Sequence, residues 1–419
     1  MTTMVEGFRT RSSGADGMLR LGIGAVYAAA AVPLFFIYNI LPASLRQAGQ
    51  PPEIANLVFL AYLPFALRAI WAPLVDRMGR QRAPIYRRIV LTCLGLAVLG
   101  IASLLAYSPA TGAISITLAA TVLIVLIATA TIALDGYLMA MLPAVERARS
   151  AALQGSGFAL GGLAMGLGIL ACDGADWHVV VWLLMATMAA LALPALALPA
   201  AAPDAFLPDA FLPDANEITQ RGLWRFLVGA SSRRRIGLAL TLHGGLALAG
   251  GMLPVLQVDA GLSLGQIALV SAAGANGVGL IAAWATGLAL QRLSAWHMAA
   301  VISLASALGF GAIALAAPKV GPAAAIALSL LVMALGYGFF VVFRALVLKS
   351  CGGPRGATRA ASLSSLDAFV STVFAILAGL VIGRFGLPIL LSLSALLCAA
   401  GVALAWVAGR SADETDTTS

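Results

Sequence analysis

The chain has 419 residues, 61% of them hydrophobic and only 10% charged. Soluble globular domains carry roughly 25% charged residues, so an aqueous enzyme, a secreted disulfide scaffold and a disordered chain are all excluded. The net charge of +8 comes from 25 basic residues, 23 of them arginine. They fall mostly in short segments between apolar blocks, a pattern of membrane topology and not of a nucleic-acid surface.

A helix needs about 20 apolar residues to cross the hydrocarbon core. The polar, basic stretch 1–20 lacks a small-residue cleavage site, so no removable signal peptide is expected. After it the sequence predicts spans at 21–42, 54–75, 89–107, 116–141, 151–171 and 179–200. A second set follows at 236–256, 265–290, 298–317, 323–347, 363–382 and 387–408. The blocks are too long for strands and lack alternating polarity. The expectation is an all-α membrane protein with twelve transmembrane helices.

With the amino terminus inside, twenty basic residues lie in cytoplasmic segments and three (Arg46, Lys319, Arg384) outside. That asymmetry places both termini in the cytoplasm. The longest polar interval divides the chain into a tail (1–20), a six-helix bundle (21–200), a linker (201–235), a second bundle (236–408) and a tail (409–419). Within the linker, Pro203-Asp204-Ala205-Phe206-Leu207 is repeated as Pro208-Asp209-Ala210-Phe211-Leu212, which reads as duplication tolerated in a connector. The stretch from Gly222 to Arg235, with Trp224, Phe226 and Arg233-Arg234-Arg235, reads as an interfacial amphipathic helix. Cys93 and Cys398 fall inside spans, and Cys172 and Cys351 in loops on opposite sides, so no disulfide framework is expected.

The loop after the second span reads Ala72-Pro73-Leu74-Val75-Asp76-Arg77-Met78-Gly79-Arg80-Gln81-Arg82. It resembles the G-x-x-x-D-R-x-G-R-R/K loop of the major facilitator superfamily, with Ala72 in place of the first glycine and the last basic residue displaced to Arg82. Asp76, Arg77 and Arg80 are thereby expected to form a cytoplasmic gate, with Glu146 and Arg147 opposite. A decayed copy, Gly287, Gln291 and Arg292, follows the eighth span, as two related halves about an axis normal to the membrane would give.

Residues 25–166 are similar to a particular branch of that superfamily, the muropeptide and acetyl-coenzyme A permeases. The likeness is carried by Leu41-Pro42-Ala43-Ser44-Leu45-Arg46, by Tyr62-Leu63-Pro64-Phe65-Ala66-Leu67-Arg68-Ala69-Ile70-Trp71, and by Asp135-Gly136-Tyr137. Within the branch, Asp135-Gly136 and Ala152 to Gly161 are more similar to the rhizobactin and pyochelin siderophore permeases. The resemblance implies two pseudo-symmetric six-helix bundles in a bacterial inner membrane. It also implies proton-linked import of a siderophore or its iron complex by a monomer. Other readings are a permease for muropeptide-like metabolites, a proton-coupled efflux pump, or a receptor that does not transport. In this superfamily the first, fourth, seventh and tenth spans line the cavity, which nominates Tyr38, Asn39, Tyr137, His243, Tyr337 and Arg344 as substrate-facing.

Charges inside spans are costly and are paired or functional. Arg68, Asp135, His243, Arg344 and Asp367 each lie eight residues from a cytoplasmic boundary, about 12 Å deep at 1.5 Å per residue. They are expected to form one layer, with Arg68–Asp135 and Arg344–Asp367 as ion pairs. Asp135 and His243 are the candidate proton carriers. The glycines of the fifth span (Gly155, Gly157, Gly161, Gly162, Gly166, Gly168) read as a packing face, because no strand precedes them as a dinucleotide loop requires. Neither lysine follows a glycine-rich loop, so ATP hydrolysis by this chain is excluded. The three histidines are too dispersed for a metal site, and no cofactor is expected.

Overall fold

A computed structural model describes residues 13–79, 82–141, 144–200, 229–316, 321–350 and 356–416. Eleven of its helices are long and apolar enough to span a membrane, and a bent pair supplies a twelfth. In chain order they are α1 (Gly17–Gln47), α2 (Pro52–Leu67 with Ala72–Gly79), α3 (Ala83–Ala106), α4 (Ala113–Leu138), α5 (Leu153–Ala171) and α6 (Trp177–Ala197). The second six are α7 (Ser232–Asp259), α8 (Leu264–Ala289), α9 (Ala295–Leu315), α10 (Pro322–Val347), α11 (Ser362–Phe385) and α12 (Leu387–Arg410). The twelve-helix expectation therefore holds. The tandem repeat and the segment around Trp224 lie outside the described residues. Arg233, Arg234 and Arg235 belong to the first turns of α7's helix and not to a separate interfacial helix.

α1 packs on α5 and α6, α3 on α4, α8 on α10, and α9 on α12; across the halves α2 meets α11 and α5 meets α8. Small residues permit the close approaches. A side chain at Gly161 would collide with the Ala28 carbonyl of α1, and one at Gly166 with Ala272 of α8. The glycine face of α5 thus serves both contacts, since packing between apolar helices in lipid depends on backbone proximity.

Four irregular turns interrupt the helices. α2 breaks by 52° between Leu67 and Ala72, and its Arg68–Ile70 turn is 3-10. Pro73 accounts for this: its ring excludes the carbonyl of residue 69 and it has no N–H to donate. Wide π turns occupy Phe36–Ile40 in α1, Ala239–His243 in α7 and Val270–Gly274 in α8. Such turns concentrate at functional sites. These four carry Tyr38, Asn39, Arg68, His243 and Ser271.

Polar contacts lock the two halves at the end bearing the α1–α2, α5–α6 and α7–α8 loops. Arg46 Nε lies 2.7 Å from Asp259 Oδ1. Asp173 accepts hydrogen bonds from Ser263 Oγ at 2.5 Å and from the Gly265 N–H at 2.8 Å. Deeper in the seam, Asn56 Nδ2 donates to the carbonyls of Gly251 on α7 (3.0 Å) and Ala375 on α11 (3.1 Å).

Candidate functional site

Beneath that seam Tyr38 and Asn39 of α1, Gln257 of α7, Ser271 of α8 and Ser329 and Met333 of α10 line a small pocket between the halves. Its polarity is fixed by a chain of hydrogen bonds. Ser329 Oγ donates to the Ala325 carbonyl (2.7 Å) and accepts from Gln257 Nε2 (2.8 Å). Gln257 Oε1 is then left buried with no partner among protein atoms, an acceptor open to a hydrogen-bond donor. Leaving such an atom unsatisfied costs about 1–3 kcal/mol.

Two walls descend from this pocket. In the first half an aromatic column runs from Phe59 to Tyr38 (ring centroids 5.1 Å apart), Tyr62 (6.1 Å from Tyr38) and Phe65 (5.6 Å from Tyr62). The Arg68 guanidinium stands over Phe65, 4.7 Å from the ring centroid. In the second half Met333, Tyr337, Phe340 and Arg344 share one stripe of α10 at the spacing of a helix face. Gly338 points toward Thr286 and Ile302, and Phe339 stacks on His243 at 4.6 Å. The Met333 stripe therefore faces away from the neighbouring helices, toward the space between the halves, and Phe340 and Arg344 are exposed there.

The charged layer forms, but with different partners from those expected. Asp367 Oδ1 lies 2.7 Å from His243 Nδ1 and not within 4 Å of Arg344. Arg68 makes no ion pair with Asp135 either. It donates to Thr131 Oγ1 at 3.4 Å, one turn before Asp135 on α4, while Asp135 accepts from Tyr27 OH at 3.4 Å. Equal height placed these groups in one layer; the direction each helix presents them decides the pairing. The antiparallel register of α2 and α11, set by Asn56 against Gly379 and Glu53 against Gly383, brings Arg68 level with Asp367, and the Arg68–Ile70 turn touches α11.

Tyr137 is a correction. It is fully buried and its hydroxyl donates to the Pro199 carbonyl at the end of α6 (2.9 Å). Asp135, two residues earlier, is exposed. Two residues turn a helix by about 200°, so only one of them can face the cavity. Arg87 holds the same α6 end through the Leu198 (2.6 Å) and Leu196 (3.0 Å) carbonyls. Tyr38 and Asn39 line the pocket as expected, and His243 is half-buried beside it on α7.

For the cytoplasmic gate, Arg77 is exposed on the short helix after the α2 break. Arg80 lies outside the described residues, and the side chains of Asp76, Glu146 and Arg147 are not described. Sequence reasoning missed Tyr62, Phe65, Gln257, Ser329, Met333 and Phe340. A signal existed for two of them: Gln257 is a lone amide in an apolar span, and Phe340 sits four residues before Arg344.

Two six-helix bundles, joined at one end around a polar pocket and lined below it by aromatic and charged side chains, define a membrane solute carrier. The family model of the Major Facilitator Superfamily matches residues 21–366, and the chain belongs to that superfamily. Among solved structures, a bacterial homolog of the human lysosomal transporter Spinster, in an inward-facing and unoccupied conformation, is similar with a TM-score of 0.70. Identity is 15%, over 95% of this chain and 98% of that one. The chain is a multi-pass membrane transporter of secondary, alternating-access type.

Proposed function

We propose that this transporter links a proton to the import of an organic solute across a bacterial inner membrane, and that the solute is a siderophore or its iron complex. The His243–Asp367 pair carries the proton-linked part of the reading. An imidazole 2.7 Å from a carboxylate can hold or release a proton near neutral pH. It sits on the π turn of α7 against α10 and α11, the helices that must move relative to the first half. The siderophore part is supported by the sequence likeness around Asp135-Gly136 and Ala152 to Gly161, and by an aromatic column suited to a bulky ligand.

Proteoliposomes with an imposed inward proton gradient test it. Radioactive iron bound to catecholate, hydroxamate or phenolate siderophores should accumulate, with simultaneous alkalinisation outside reported by a pH dye. Accumulation that ignores the gradient would remove the proton link. Gradient-driven uptake of a non-siderophore solute would leave the link and remove the substrate.

A further inference from the structure

Charges in this layer do not neutralise one another by contact. Both carboxylates are occupied by groups other than arginine: Asp367 by His243 and Asp135 by Tyr27. Arg68 and Arg344 have no carboxylate within 4 Å among the described residues. Arg68 rests on Phe65 and Thr131. Arg344 is exposed at the foot of the α10 stripe, about 16 Å below Met333 at 1.5 Å per residue. One arginine thus comes from each half, and each stands next to flat apolar surface: Phe65 and Tyr62 on one wall, Phe340 and Tyr337 on the other.

Formal charge adds a second constraint. Arg68, Arg344, Asp135 and Asp367 together sum to zero, and a proton on His243 makes the layer +1. Around His243, α11 supplies Asp367, and α10 supplies Phe339 and, further along, Arg344. α12 brings the Cys398 thiol to the neighbouring Leu242 carbonyl. On α7 itself Arg235 is tied to the Leu346 carbonyl at 2.8 Å, and across the interface Arg68 is level with Asp367. Closing a cavity over a net charge in low dielectric is expensive. The layer closes at zero charge when it is empty and deprotonated, or when it holds one proton and one negative charge.

We propose that the cavity takes an organic anion with a flat, apolar body, its negative group received by Arg344 and Arg68 and its charge balanced by one proton on the His243–Asp367 pair. This rests on the proton-linked reading above and names the chemistry of the solute. Guanidinium forks match carboxylate and related oxyanions through paired N–H donors, and the aromatic walls take the body of the molecule. Proton and anion enter as one neutral load, so each raises the affinity for the other.

Purified transporter in nanodiscs, titrated with benzoate, salicylate and 2-naphthoate beside their carboxamides, provides the test. At least one acid should bind about tenfold or more tightly than its carboxamide, a difference near 1.4 kcal/mol. Arg344→Gln and Arg68→Gln should each remove most of that preference, and Arg344→Lys should retain part of it. Acid affinity should fall as pH is raised from about 5 to about 8, by no more than about tenfold per unit for one proton. His243→Gln should flatten that profile. Equal binding of acid and amide, no acid binding at all, or a preference that survives Arg344→Gln would overturn the inference. So would a pH profile unchanged in His243→Gln. Proton-driven uptake of a neutral solute in the proteoliposome assay would leave the transporter reading standing while the anion reading fell.

Discussion

Asn56 reaches from α2 across the interface between the halves and donates to the Ala375 carbonyl of α11 at 3.1 Å, while its second amide hydrogen meets Gly251 of α7 at 3.0 Å. One side chain of the first half thereby ties two helices of the second. Its carbonyl Oδ1 is buried without a partner, so the contact tolerates one unsatisfied atom to hold two backbone groups. Alternating access requires that these bonds break when the seam opens.

Asn56→Ala should therefore shift the protein toward the state open at the Arg46–Asp259 end. Two hydrogen bonds at about 0.5–1.5 kcal/mol each give a shift of roughly five- to 150-fold. Labelling of a cysteine placed at Ser271, which lines the pocket beneath the seam, would report it. Unchanged labelling rates would mean that helix packing alone holds the seam.

The outer contacts differ in expected weight. Arg46 and Asp259 are a solvent-exposed pair, with 28% and 39% of their side-chain surfaces accessible, and such pairs contribute about 0–1 kcal/mol. Asp173 instead accepts two hydrogen bonds at the start of α8, from Ser263 Oγ and the Gly265 N–H. Charge-assisted bonds of this kind are roughly twice as strong as neutral ones. Asp173→Ala should raise labelling in the same assay several-fold more than Arg46→Ala. The reverse order would place the weight of closure on the exposed pair.

Much of the architecture was legible because hydropathy reports length and depth. Twelve apolar blocks became twelve spans, and the glycine face of α5 became a packing face on α1 and α8. Depth arithmetic also placed Arg68, Asp135, His243, Arg344 and Asp367 near one level. Azimuth was not legible. Tyr137 and Asp135 are two residues apart and point to different sides of α4, and Asp367 turns toward His243 on α7 instead of Arg344 on α10. Those choices depend on how the helices cross, which a one-dimensional pattern does not encode. The break at Arg68–Trp71 was written in Pro73, but the π turns around Tyr38 and His243 have no comparable sequence signal.

Gly161 tests the packing argument. A methyl group there has no room against the Ala28 carbonyl and the Ala31 side chain of α1. Backbone cannot withdraw as a flexible side chain can, and overpacking typically costs about 1–3 kcal/mol. Gly161→Ala should lower the melting temperature and yield in detergent. Gly155→Ala, one and a half turns earlier with open space at the Cβ position, should leave both nearly unchanged. Similar behaviour of the two variants would show that α1 and α5 do not meet through Gly161.

Double-mutant cycles separate the two acidic residues of the charged layer. His243 and Asp367 touch at 2.7 Å, and residues in contact show coupling energies of about 0.5–3 kcal/mol. Arg68 and Asp135 are each held by other groups, Thr131 and Tyr27, on adjacent turns. Their coupling passes through the space between them and should stay at the low end of that range. In unfolding experiments His243→Gln with Asp367→Asn should thus be clearly less destabilising than the sum of the single variants. Arg68→Gln with Asp135→Asn should be close to additive. A large coupling for Arg68–Asp135 would mean that the two side chains meet in the populated state. Additivity for His243–Asp367 would mean that their short contact contributes nothing to the fold, and that the imidazole is held by its stacking on Phe339 instead.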